Sequence, residues 1–128
     1  MFTPPANNTY FTKPRGGLWA SSVDAEFGWR DWCELENFHC YRLNESFSFT
    51  LRDGAKVLCL DSVDCLEGLP RLKTFYNTWV TLDFEKLMET YDAIELVLSA
   101  DMRLYWKLYG WDCDSILILN PYVVEVFR

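Results

Sequence analysis

Two short segments hold the side chains best suited to chemistry. The first, Lys13-Pro14-Arg15-Gly16-Gly17-Leu18-Trp19-Ala20-Ser21-Ser22, places two cations beside paired glycines and runs into an indole and two hydroxyls. A turn of this kind brings backbone close to a ligand, because glycine has no Cβ. The second, Trp111-Asp112-Cys113-Asp114-Ser115, sets two carboxylates at the head of an apolar run that ends in Asn120-Pro121. The chemical types of the two segments are complementary. Each also has a plain structural reading: tryptophans as core, Asp112 and Asp114 as strand caps, Lys13 and Arg15 as solvated turn cations. Other constellations are thin. His39 is the one histidine, next to Cys40 and six residues after Cys33, which is too few ligands at an unrecognised spacing for zinc. A Cys-His nucleophile needs an orienting third group, and nothing in the sequence supplies it. No phosphate-binding Gly loop, dinucleotide fingerprint, nucleophile elbow or His-Glu-x-x-His helix occurs, so the enzyme classes built on them drop out.

The elements that must position these groups follow from periodicity. Met1–Asn8, with Pro4 and Pro5, reads as an extended arm, and Tyr10-Phe11 as the start of pairing. Leu18–Ser21 reads as a short buried strand. Ser21 or Ser22 is expected to cap a helix whose apolar positions include Phe27, Trp29, Trp32, Cys33, Leu35 and Phe38, with the tryptophans turned inward. Phe47, Phe49 and Leu51 alternate with polar residues, and Asp53-Gly54 then leads into Lys56–Leu60, which predicts a hairpin. Asp61 or Ser62 is placed as the cap of a helical turn ending near Gly68, and Asp83 as the cap of a helix over Phe84–Tyr91. Strands are expected at Ala93–Leu98, Ser115–Asn120 and Tyr122–Phe127, the middle one central because it is apolar on both faces. The pattern is α+β, a single domain over 1–128 with a mostly antiparallel, bent sheet and a few peripheral helices.

Composition bounds the partners. The chain has 128 residues, 17% aromatic and 24% charged, with 12 Lys and Arg against 19 Asp and Glu for a formal charge of −7. Disorder, collagen and coiled coil are excluded, and so large a negative charge argues against binding nucleic acid through its phosphates. Residues 53–128 hold 13 acidic and 7 basic side chains, so the excess lies in the C-terminal part. Five cysteines without framework spacing, and the lack of a signal-like start, predict free thiols and a cytoplasmic protein. No apolar run is long enough for a membrane span.

The run Gly16-Gly17-Leu18-Trp19-Ala20-Ser21-Ser22 resembles the second NAD-binding motif of the ADP-ribosyltransferase fold, and Asp112 to Pro121 resembles that fold's last motif. The resemblance implies an ADP-ribosyltransferase-like split sheet and an enzyme that transfers ADP-ribose from NAD to a macromolecule. It implies Asp114 as the catalytic carboxylate meeting the oxocarbenium-like ribose, with Asp112 in reserve, and Lys13, Arg15, Gly17, Trp19 and Ser21 as the NAD-binding residues. No His or Arg precedes Arg15, and Asp stands where that family usually has Glu. The order Lys13 to Trp19, Trp29 to Cys33, Tyr91 to Ile94 and Trp111 to Ser115 is also similar to that of small phage and bacterial proteins. This carries the alternative expectation: an acidic, phage-encoded inhibitor of a host defence complex, of the anti-CRISPR kind, working in the host cytoplasm by binding and occluding a basic protein surface.

Overall fold

The computed structural model describes residues 2–8, 12–38, 46–73 and 79–126. Its centre is set by the two most apolar strands, β4 (Ala93–Leu96) and β5 (Ser115–Ile118), which pair antiparallel with Ala93 opposite Ile118 and Leu96 opposite Ser115. β5 is flanked on its other side by β1 (Leu18–Ala20), antiparallel, and β4 by β3 (Val57–Leu60), parallel, giving the order β1-β5-β4-β3. The apolar run at Ile116–Leu119 is thus interior, as its two-sided hydrophobicity predicts. A separate two-stranded ribbon joins β2 (Phe49–Leu51) to β6 (Val124–Val126), antiparallel. The fold is α+β, with three of the four strand pairings among the described residues antiparallel.

The expected hairpin does not form. A tight turn does sit at Asp53-Gly54, but β2 pairs with β6, and β3 pairs with β4 after a crossover. The two strands serve different hydrophobic clusters. Leu58 and Leu60 lie with Ile94, Leu96, Leu117 and Trp19, under Phe84, Leu87, Leu104, Leu108 and Trp111. Phe49 and Leu51 instead pack with Val123 and Val124 against Leu18, Ile116, Ile118 and Ala93 on the opposite face. Arg52 holds β2 to β6: its N–H donates to the Val123 carbonyl at 2.7 Å, and its guanidinium to the Tyr122 carbonyl and the Glu125 carboxylate.

Among the described residues, three short α-helices cover the sheet: α1 (Trp29–Leu35), α2 (Phe84–Leu87) and α3 (Arg103–Lys107). α2 is shorter than expected, yet its cap is as expected, since the Asp83 carboxylate accepts the Lys86 N–H at 3.1 Å. The N-terminal arm completes that cap. Asn7 Oδ1 accepts from Phe84 N–H at 2.8 Å while its amide donates to Asp83 at 2.8 Å. α1 starts at Trp29, later than a cap at Ser21 or Ser22 in sequence implies, and none of its residues is fully buried. Trp29 and Trp32 are half-buried rather than inward core. α3 has no counterpart among the sequence expectations; Leu104 and Leu108 are buried at its inner side. The expected Tyr10-Phe11 pairing, His39 and Cys40 lie outside the described residues. Among the described residues, Cys59, Cys65 and Cys113 are free thiols. No helix among the described residues is long and apolar enough to cross a membrane.

Candidate functional site

The strand β1 and the head of β5 are neighbours, so the two segments singled out by residue type do meet. What they form is a set of ties around two adjoining hollows, which share Ser22, Asp24, Ala25 and Ile116. Gly17 has φ +77°, and a Cβ there would lie 2.5 Å from Leu117 Cδ1. It is a glycine because β5 passes close beneath it. Arg15 is exposed and pairs through its backbone with Ala6, at 2.8 Å in both directions.

Lys13 Nζ lies 5.1 Å above the Trp19 ring centre and 4.6 Å above that of Trp29, with the Asp112 carboxylate at 3.7 Å. The ammonium is therefore held by two indole faces and one carboxylate. Burial of the lysine lowers its pKa from the ordinary range, against the opposing pull of Asp112. Trp19 itself packs edge-on against Trp111, centroids 4.9 Å apart, and against Trp29 at 6.3 Å. A chain of rings thus runs from buried Trp111 through Trp19 and Trp29 to Trp32 and Phe38 at the surface.

Ser21 acts as a joint. Its hydroxyl donates to the Asp114 carbonyl at 2.7 Å and accepts the Trp29 N–H at 2.9 Å. Gly28, not Ser21 or Ser22, is the N-cap of α1; Ser21 reaches the first N–H of the helix across a loop, from eight residues before it. Asp114 is 94% removed from solvent, and its carboxylate is occupied: Oδ1 accepts the Ser99 N–H at 3.0 Å, Oδ2 the Ser99 hydroxyl at 2.8 Å and, more weakly, the Phe27 N–H at 3.4 Å. Its backbone N–H donates to the Phe27 carbonyl at 2.8 Å. Cys113 beside it is buried, which pushes its thiol up to about 12, while the Ser115 hydroxyl and the Lys13 charge pull the other way.

The first hollow, about 280 Å³, lies beside β4 and β5 and is lined by Ser22, Asp24, Glu26, Glu95, Ser99 and Asp114 among others. Among the described residues it holds four carboxylates and no basic side chain. Glu95 Oε2 accepts from the Ser22 hydroxyl at 3.1 Å. The same negative field reaches the neighbouring strand, where the Cys59 thiol is pushed up first by burial and then by Glu95 and Asp61. The second hollow is a groove of about 870 Å³ along β1, lined by Trp19, Ser21, Asp24, Trp29, Asp31 and Phe47 among others. Trp19 and Ser21 line the groove, whereas Asp114 lines the acidic hollow. No group of three or more His, Cys, Asp or Glu suited to a metal occurs among the described residues.

Sequence reading missed Glu95 and Ser99. Glu95 carried a signal: it is the one charge in an otherwise apolar strand, and alternation sets it on the face opposite Ile94 and Leu96. Ser99 carried none, since only the packing of its turn on Asp114 gives it a role. Compared with family models, with curated proteins and with solved structures, the chain matches none.

Proposed function

We propose that this is a binding protein whose acidic face docks on a basic surface of a protein partner and occludes it. The observation that carries this reading is the hollow beside β4 and β5, with its four carboxylates and no counter-charge among the described residues. Five of the twelve basic side chains, Lys13, Arg30, Arg52, Lys86 and Arg103, are each within 3.8 Å of a carboxylate of the same chain, which offsets their positive field. A host defence complex that presents a nucleic-acid-binding surface is the kind of target this charge suits, and a phage-encoded inhibitor in the host cytoplasm is the corresponding role. The rim carboxylates Asp24 and Glu26 are the probe of choice, being exposed; Asp83, Glu85 and Glu89 are engaged in the α2 cap or paired with Lys86. Captured from lysate, a partner bound at low salt should be released as the Debye length falls below about 8 Å, and an Asp24→Lys, Glu26→Lys variant should fail to capture it. Retention indifferent to both salt and charge reversal refutes the reading.

A second reading is NAD-dependent transfer of ADP-ribose on an ADP-ribosyltransferase-like fold. It is favoured by the groove in which Trp19 and Ser21 lie together, with Lys13 above Trp19. Its weak point is Asp114, whose carboxylate is turned to Ser99 and Phe27 rather than into that groove. A thermal shift with NAD and label transfer from NAD to lysate proteins decide it, and absence of both removes it.

A further inference from the structure

Resting on the reading of this chain as a binding protein, we propose that the free edge of β1 accepts an extended, basic segment of the partner as an added strand, seated in the groove beside it. Among the described residues β1 ends the main sheet, with β5 on one side only. Leu18, Trp19 and Ala20 all line the groove although alternate residues belong to opposite faces of the sheet, so the groove follows the strand's edge. Beyond the ladder with β5, the backbone of these three residues makes no hydrogen bond among the described residues. Nor does β1 carry the charge or proline that guards exposed edges against pairing. An edge with unmet N–H and C=O groups is a template for β-augmentation, in which main-chain bonds give affinity and alternate side chains give selectivity.

The groove walls say what those side chains should be. One wall offers Trp19 and Trp29, the other Phe47 and Phe49, whose rings are 5.9 Å apart, so an apolar residue of the incoming strand is accommodated on either face. The rim carries Asp24 and Asp31, and Arg30, its one cation among the described residues, lies 3.8 Å from Glu34, which favours a basic segment. Trp29 also holds the one buried side-chain nitrogen or oxygen without a hydrogen-bond partner among the described residues, its indole N–H, and a strand brings carbonyl acceptors.

The test uses the full chain and the peptide acetyl-Lys-Val-Lys-Val-Lys-Val-amide. Titration should give saturable binding with slowed exchange of amides in Leu18–Ala20. Affinity should fall at least tenfold when alternate peptide nitrogens are methylated, when Glu replaces Lys in the peptide, and in Phe47→Lys, a change at an exposed ring that leaves the core untouched. Binding indifferent to methylation, protection elsewhere, or no binding overturns the proposal. So does a concentration-dependent dimer abolished by Phe47→Lys, which would make a second copy the occupant. If any of these occurs while salt-dependent capture of a lysate partner persists, the edge proposal fails alone and the acidic-face reading stands.

Discussion

Asp114 decides between a reacting group and a strut, and its replacement has a calculable cost. Oδ1 takes the Ser99 N–H at 3.0 Å and Oδ2 the Ser99 hydroxyl at 2.8 Å, the carboxylate being buried and Ser99 exposed at the edge of the hollow. Hydrogen bonds to a charged acceptor contribute about 1.5–3 kcal/mol each, and because Ser99 is exposed its donors turn to water when the carboxylate is gone, so no further desolvation cost is added. Against this stands the relief of no longer burying a carboxylate. Asp114→Ala should therefore lower unfolding free energy by about 3 kcal/mol, and Asp114→Asn, which keeps one acceptor oxygen for the Ser99 N–H, by about half that. Ser99→Ala removes only the hydroxyl and should cost about 1 kcal/mol. Urea denaturation of the two alanine variants and their combination gives the coupling, expected at about 1 kcal/mol or more because the groups touch. A group held for chemistry behaves in the opposite way: its removal leaves stability unchanged or raised. A loss below about 0.5 kcal/mol for Asp114→Ala, with no coupling to Ser99, would refute the strut argument.

Gly17→Ala combines a left-handed φ with a Cβ 2.5 Å from Leu117 Cδ1, and should destabilise by about 3 kcal/mol; a ligand-contact role alone would weaken binding at constant stability. Cys113 keeps its proton in the fold up to about 12, whereas the unfolded thiol titrates near 9.0. Its contribution to stability is thus fully present below pH 9.0 and is lost as pH rises toward 12. Urea midpoints should fall less steeply across that alkaline window in Cys113→Ala than in the parent. Equal slopes would show that burial of this thiol does not govern the alkaline limb.

Local chemistry was legible wherever one residue or one short pattern decides the outcome. Asp83 caps α2 because a carboxylate before an apolar turn meets free N–H groups wherever that turn packs. Ile116–Leu119 is central because a run apolar on both faces has nowhere else to go. The α+β class was also readable, since strand alternation and helical spacing both occur along the chain. Strand partners were not. Alternation around Asp53-Gly54 describes two strands and a turn equally well for a hairpin and for a crossing from one sheet to another. The choice was made by distant residues: Ile94 and Leu96 draw β3 to β4, while Val124 and Glu125 draw β2 to β6. The direction of a side chain at the site was equally hidden. Asp114 stands at the head of β5 in either reading, and only the return of Ser99 and Phe27 on to its oxygens turns it away from the groove that Trp19 and Ser21 line. Sequence fixes what a residue can bond. The fold decides which donor arrives first, because those bonds join positions 15 and 87 residues apart, and no local pattern encodes such closures.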